Sequence, residues 1–216
     1  PELAAPTYTD WIEQDRAYVA SDTFCKNRDY WLNQYPTTPD PLLSPRYRSQ
    51  YTDEVVGSGC EVLQLPRAFY QQLEQFAQQH RVSMFHLLLG VLYVYFVRIT
   101  QQGDFAIGLP VLNRARAHFR QAAGLFVGVS AVCFRIGRES TFIEVMQHIR
   151  RDMQRHYRHQ RFPISELNRA VGIENKRTQL FDINLSFEQH DNQMLFGAIS
   201  GKLISQLHGY EQIPLT

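Results

Sequence analysis

Residues 124–136 read GLFVGVSAVCFRI, and the reading of this stretch decides the fold. Taken as a strand from Gly124, alternation places Gly124, Phe126, Gly128, Ser130, Val132 and Phe134 on one face, because successive side chains point to opposite sides. The other face carries Leu125, Val127, Val129, Ala131 and Cys133 and is apolar throughout. The first face has a notch at Gly128 and Ser130 between two phenylalanines. Glycine within a strand forfeits packing and backbone entropy, so the notch predicts either a bulge or the close passage of another group along the backbone.

Downstream, TFIEVMQHIRRDMQRHYRH (141–159) predicts a helix with Phe142, Val145, Met146, Ile149 and Met153 on its core stripe. HQRFPISEL (159–167) predicts a loop entering a short helix. FDINLSFE (181–188) alternates Phe181, Ile183, Leu185 and Phe187 with Asp182, Asn184, Ser186 and Glu188, which predicts a strand with one wet or functional face. MLFGAI (194–199) and KLISQLHGY (202–210) read as further strands, and QIPLT (212–216) as the start of another.

Upstream, FAIGLPVL (105–112) predicts a buried strand, and VSMFHLLLGVLYVYFVRIT (82–100) a helix apolar nearly all round from Val82 to Val97. That run is short for a membrane span and is interrupted by Ser83 and His86, so a core helix is expected. CEVLQL (60–65) reads as a short strand, followed by an amphipathic helix in PRAFYQQLEQFAQQH (66–80). Two more helices are expected over 7–20, behind a Thr7 cap, and over 22–35. PTTPDPLLSP (36–45) holds four of the ten prolines, which favours an extended connector. The resulting expectation is a helical segment at 1–35, a proline-rich connector at 36–57 and a main lobe at 58–216. Its class is α/β, with a mixed sheet flanked by helices.

The chain has 216 residues, 44% of them hydrophobic and 20% charged, enough to bury a sizeable core in a globular fold. Lys+Arg total 22 against 21 Asp+Glu, so bulk charge favours neither a nucleic-acid nor a membrane partner. Cys25, Cys60 and Cys133 lack any CxxC spacing, which fits inert thiols in a reducing cytoplasm. No secretory leader is visible in residues 1–15, and a chain starting at Pro1 suits methionine removal or excision from a longer one.

Serine-hydrolase, P-loop and dinucleotide signatures are missing. His148, Asp152 and His156 lie on one helical flank, but Arg151 and Arg155 beside them would repel a cation, so no metal site is expected. Arg151, Arg155 and Arg158 fall opposite the apolar stripe of their helix. Two readings fit them: a solvated face, or a docking surface for an acidic partner or phosphate. His86 is expected to be a satisfied core residue, and His159 to anchor its loop rather than to catalyse.

Taken in chain order, several segments resemble the later core motifs of the condensation domains of nonribosomal peptide synthetases. YTDWIEQ (8–14) resembles YxD[FY]AVW; AGLFVGVSAVCFR (123–135) resembles [IV]GxFVNT and the arginine after it; HQRFPIS (159–165) resembles [HN]QDYPFE. KRTQLFDINLSFE (176–188) resembles more loosely the RxxxRNPLFxV region, and GLPVLNR (108–114) and Tyr30-Trp31 sit where that family has similar words.

The resemblance implies a chloramphenicol acetyltransferase-like lobe, one of two that flank a tunnel. It also implies acyl or peptidyl carrier proteins as partners, whose phosphopantetheine arm carries the substrate as a thioester, with no cofactor bound directly. The implied activity is amide bond formation between a carrier-bound acyl or aminoacyl thioester and an acceptor amine, with ester-forming, epimerising and cyclising relatives and a non-catalytic carrier-binding lobe as alternatives. Gly124, Phe126, Gly128 and Ser130 would line the tunnel; His159, Gln160 and Pro163 would form the motif loop; Arg151, Arg155 and Arg158 would dock the carrier.

The family's HHxxxDG is absent, since none of the eight histidines is adjacent to another. The chain thus reads as the later portion of such a domain without its N-terminal lobe, inactive alone, with no catalytic residue of its own. Gly128 and Val129 replace the motif's Asn and Thr, which on this reading strips polar groups from the wall and suits a bulkier or greasier donor.

Overall fold

The computed structural model describes residues 6–43, 57–114, 119, 122–173, 180–188, 194–196, 199–201, 209 and 213–216. The KLISQLHGY stretch, save Gly209, lies outside them. Along the chain run α1 (Tyr8–Val19), α2 (Asp22–Gln34), α3 (Arg67–Gln79), α4 (Met84–Thr100), β1 (Ala106–Val111), β2 (Gly128–Cys133), α5 (Phe142–His159), α6 (Ile164–Ala170), β3 (Phe181–Asn184), β4 (Met194–Phe196) and β5 (Ile199–Gly201).

Three helices start on reciprocal caps, in which a hydroxyl takes an orphan N–H and the residue three further on reaches back. Thr7 with Asp10 caps α1, Ser83 with His86 caps α4, and Thr141 with Glu144 caps α5. The Thr7 cap matches the sequence reading. His86 is satisfied by this cap and is half-buried rather than a core residue: its Nδ1 accepts from the Ser83 amide at 3.2 Å.

The central sheet has the order β2-β1-β3, with β1 antiparallel to β2 and parallel to β3, so the expected mixed sheet with flanking helices is what forms. Its core joins Ile107, Val132, Ile183 and Phe134 to Leu89, Tyr93 and Ile149 from α4 and α5. The two helices cross closely at Gly90, where an added side chain would press on Met146 and the Phe142 ring. Gly108 admits the Phe181 ring in the same way.

Several elements differ from the sequence reading. The strand that opens at 124 on paper begins at Gly128, because Gly124 adopts φ 153 and residues 124–127 run outside the ladder. β3 covers only the first half of FDINLSFE, although the Leu185 amide still donates to the Gly108 carbonyl at 2.9 Å. CEVLQL is exposed and joins no ladder among the described residues; its neighbour Ser58 donates to the Gly209 carbonyl at 2.7 Å. α4 is not buried all round: Val91, Tyr95 and Ile99 form a half-exposed stripe. QIPLT does meet a strand, Leu215 bridging to Ile183 in parallel.

The proline-rich stretch is a break in composition but not in packing. Trp31, Tyr35 and Leu42 are buried in the same core as β1 and β2. The Asp182 carboxylate on β3 accepts the amides of Leu42 at 2.6 Å and Leu43 at 3.1 Å.

Candidate functional site

The loop entering β2 is built on aromatic packing. Phe126 is 2% exposed and meets Tyr8 and Trp11 of α1 edge to face, with centroids 5.4 and 5.2 Å away. The Arg114 guanidinium covers the Phe126 ring at 4.3 Å. The Tyr8 hydroxyl donates to the Leu125 carbonyl at 3.0 Å, and the Tyr8 ring fills the place where a side chain on Gly124 would stand.

The chain itself backs part of the notch from within. Phe126 and Ser130 are buried, and Tyr8 backs Gly124. A Cβ on Gly128 would lie 2.7 Å from Asn113 Nδ2, so the polar group missing from position 128 returns from the end of β1. Asn113 has φ 49, a left-handed conformation that asparagine tolerates better than most residues. The backbone of Gly124 stays exposed and that of Gly128 half-exposed, and beside them Leu112, Leu125 and Val127 project outward.

The motif loop is held by a second network. His159, at the end of α5, stacks on Tyr30 with centroids 3.8 Å apart, and its carbonyl accepts from Trp31 Nε1 at 2.8 Å. Its Nδ1 donates to Asn27 Oδ1 at 2.8 Å; Asn27 Nδ2 in turn donates to the Tyr18 hydroxyl at 2.8 Å. Arg161 lies over the Tyr18 ring at 4.2 Å and donates to the Gln14 carbonyl at 2.9 Å. Burial first and Arg158 second hold the His159 pKa below its ordinary value. Gln160 is the C-cap of α5 and Pro163 the N-cap of α6, and the His159 contacts tie α5 to α2.

One turn earlier, His156 is 3% exposed, stacks on Trp31 at 5.2 Å and meets the Tyr30 hydroxyl through Nδ1 at 3.0 Å. Sequence reasoning passed over His156, Asn27 and Tyr30 as a group; the adjacent Tyr30-Trp31 pair facing two histidines three residues apart was the available signal. His148 Nε2 meets Asp152 at 3.0 Å while His156 turns to the core, and no metal-holding cluster of three such side chains occurs among the described residues. Arg151, Arg155 and Arg158 are exposed together on α5, Arg155 meeting Asp152 at 3.4 Å.

Comparison with known families places this geometry, because the Condensation domain family matches residues 1–212. The chain belongs to that family. Relatives of this condensation-domain chain include tyrocidine synthase 3 of Brevibacillus parabrevis, 26% identical over 198 residues, covering 90% of this chain and 3% of that protein. Bacitracin synthase 2 of Bacillus licheniformis is 28% identical over 192 residues, covering 86% of this chain and 7% of the synthase. The chain thus spans a small part of the curated relatives it matches. Among solved structures, the first condensation domain of the calcium-dependent antibiotic synthetase in complex with substrate analogue 2a aligns with a TM-score of 0.76 at 19% identity. The alignment covers 92% of this chain and 43% of that one, which establishes the shared fold.

Proposed function

We propose that this chain serves as the later lobe of an amide-forming condensation domain, receiving acyl or aminoacyl thioesters on the phosphopantetheine arm of a carrier protein. The observation that carries the reading is the ordered set of motifs within a family match over residues 1–212. The catalytic base belongs, on this reading, to a lobe outside these residues, since HHxxxDG has no counterpart here and a general base must lie within hydrogen-bond reach of the amine.

The thioester arm passes along the exposed backbone at Gly124 and Gly128 beside Leu125 and Val127, while Phe126, Ser130 and Tyr8 brace that surface from within. His159, Gln160 and Pro163 hold the motif loop. The boundaries at 1–35, 36–57 and 58–216 serve as sequence segments, with Trp31, Tyr35 and Leu42 packed into the core that also holds β1 and β2.

Carrier-loaded donor and acceptor thioesters supplied to the intact parent enzyme test this directly. Amide product that disappears on Gly128→Leu, with the fold retained, supports the passage; full activity in that variant removes it.

A second reading, a lobe that docks carriers without chemistry, is favoured by the exposed Arg151, Arg155 and Arg158 face. Salt-sensitive carrier capture lost on Arg→Glu changes, with no amide formed by the intact parent, selects it over the first.

A further inference from the structure

Between α2, the end of β2 and the middle of α5 lies a cleft of about 170 Å³ that the condensation reading leaves unused. Tyr30, Arg135, His148, Asp152, Arg155 and His156 are in its wall. Helical periodicity explains the grouping on α5: positions 148, 152 and 156 form one i, i+4 row, and 155 lies on the flank of that row nearest Arg151 and Arg158.

Two arginines stand against one carboxylate in this wall, a surplus of one fixed positive charge. Both Asp152 oxygens are engaged, Oδ2 by His148 Nε2 at 3.0 Å and Oδ1 by Arg155 Nη1 at 3.4 Å. Arg135 commits Nη2 to the Gln34 carbonyl at 2.6 Å and keeps the rest of its fork. The open guanidinium donors of Arg135 and Arg155 thus border this space, which is well above the roughly 30 Å³ of one water.

We propose that this cleft binds a small oxyanion of the phosphate or carboxylate class between Arg135 and Arg155. Guanidinium forks match the paired oxygens of such anions, and partial enclosure weakens the competition from water. A cation is disfavoured by the two arginines. The proposal stands apart from carrier docking, with which it shares only Arg155.

The test is a titration of inorganic phosphate, then acetate, into the 216-residue chain, followed by backbone amide and histidine-ring NMR at constant ionic strength. The expected result is saturable binding that shifts His148, His156 and the Arg135 amide, and is weakened about tenfold or more in both Arg135→Ala and Arg155→Ala. Arg169→Ala, outside the cleft, leaves the affinity unchanged. Arg155 has a side chain 66% exposed, so its truncation keeps the fold and the test stays valid if Arg135→Ala does not fold. Preference for phosphate over acetate identifies a free phosphate or phosphate ester as ligand, and the reverse identifies a carboxylate. Shifts that fail to saturate, that follow the Arg151 and Arg158 face, or that persist undiminished in Arg155→Ala overturn the proposal.

Discussion

His156 makes stability fall in acid by an amount that follows from its surroundings. The ring is packed between Trp31 and Phe134, and burial lowers its pKa from 6.5 to about 4; Asp152 opposes the shift, while His159 and Arg155 add to it. Above the ordinary value the ring is neutral in folded and unfolded chains alike, so nothing is lost. As pH falls below 6.5 the unfolded chain binds a proton that the folded chain refuses until about 4, and stability drops throughout that window. At about 1.4 kcal/mol for each tenfold difference in proton affinity, the full loss is about 3 kcal/mol, most of it present by about pH 4.5. Urea unfolding of the chain and of His156→Phe at about pH 7.5 and about pH 4.5 isolates this residue, because other titrating groups cancel in the difference. The substitution removes the Tyr30 hydrogen bond and is expected to destabilise at the higher pH. Relative to the unsubstituted chain it should gain about 2 to 3 kcal/mol on going to the lower pH. A difference between the two proteins that stays constant across the window would refute the reasoning.

Other outcomes follow from the packing. Gly124→Ala pushes a methyl into the Tyr8 ring and is expected to cost more than about 1 kcal/mol in chemical denaturation, partly recovered by also making Tyr8→Ala. Tyr8→Phe removes only the hydrogen bond to the Leu125 carbonyl, so it should cost about 1 kcal/mol and leave the near-ultraviolet signal of the aromatic cluster intact. Ser83→Ala breaks the α4 cap and is expected to lower stability by about 1 kcal/mol, with faster hydrogen exchange at the His86 amide. Ile149→Ala, at a position with no exposure, should cost about 2 to 5 kcal/mol by thermal or urea unfolding.

The sequence made the helices legible because their apolar periodicity and caps are local: the α5 stripe of Val145, Met146, Ile149 and Met153 is buried as spaced, and Thr7 caps α1 as read. The family, too, was legible from motif order. What alternation could not show was the long-range partner of each gap. Gly124, Gly128 and Gly108 look alike as missing side chains, yet Tyr8 and Phe181 fill two of those places from distant parts of the chain and Asn113 fills the third from just beyond the paired strand. Alternation also misplaced the start of β2, since a strand ends where its ladder partner ends, and Val111 pairs with Gly128. The group of His156, His159, Tyr30 and Asn27 was hidden for the same reason, the α5 pair lying more than a hundred residues from the α2 pair.

The anchoring of Leu42 and Leu43 to Asp182 bears on where members of this family can be cut and rejoined. A chimera spliced at the prolines would bring in a β3 segment while leaving behind the amides that its carboxylate expects, and would swap Leu42 out of a core fitted around it. Residues 7–43 are better transplanted together with the sheet they cover; a junction placed before Thr7 leaves those contacts whole.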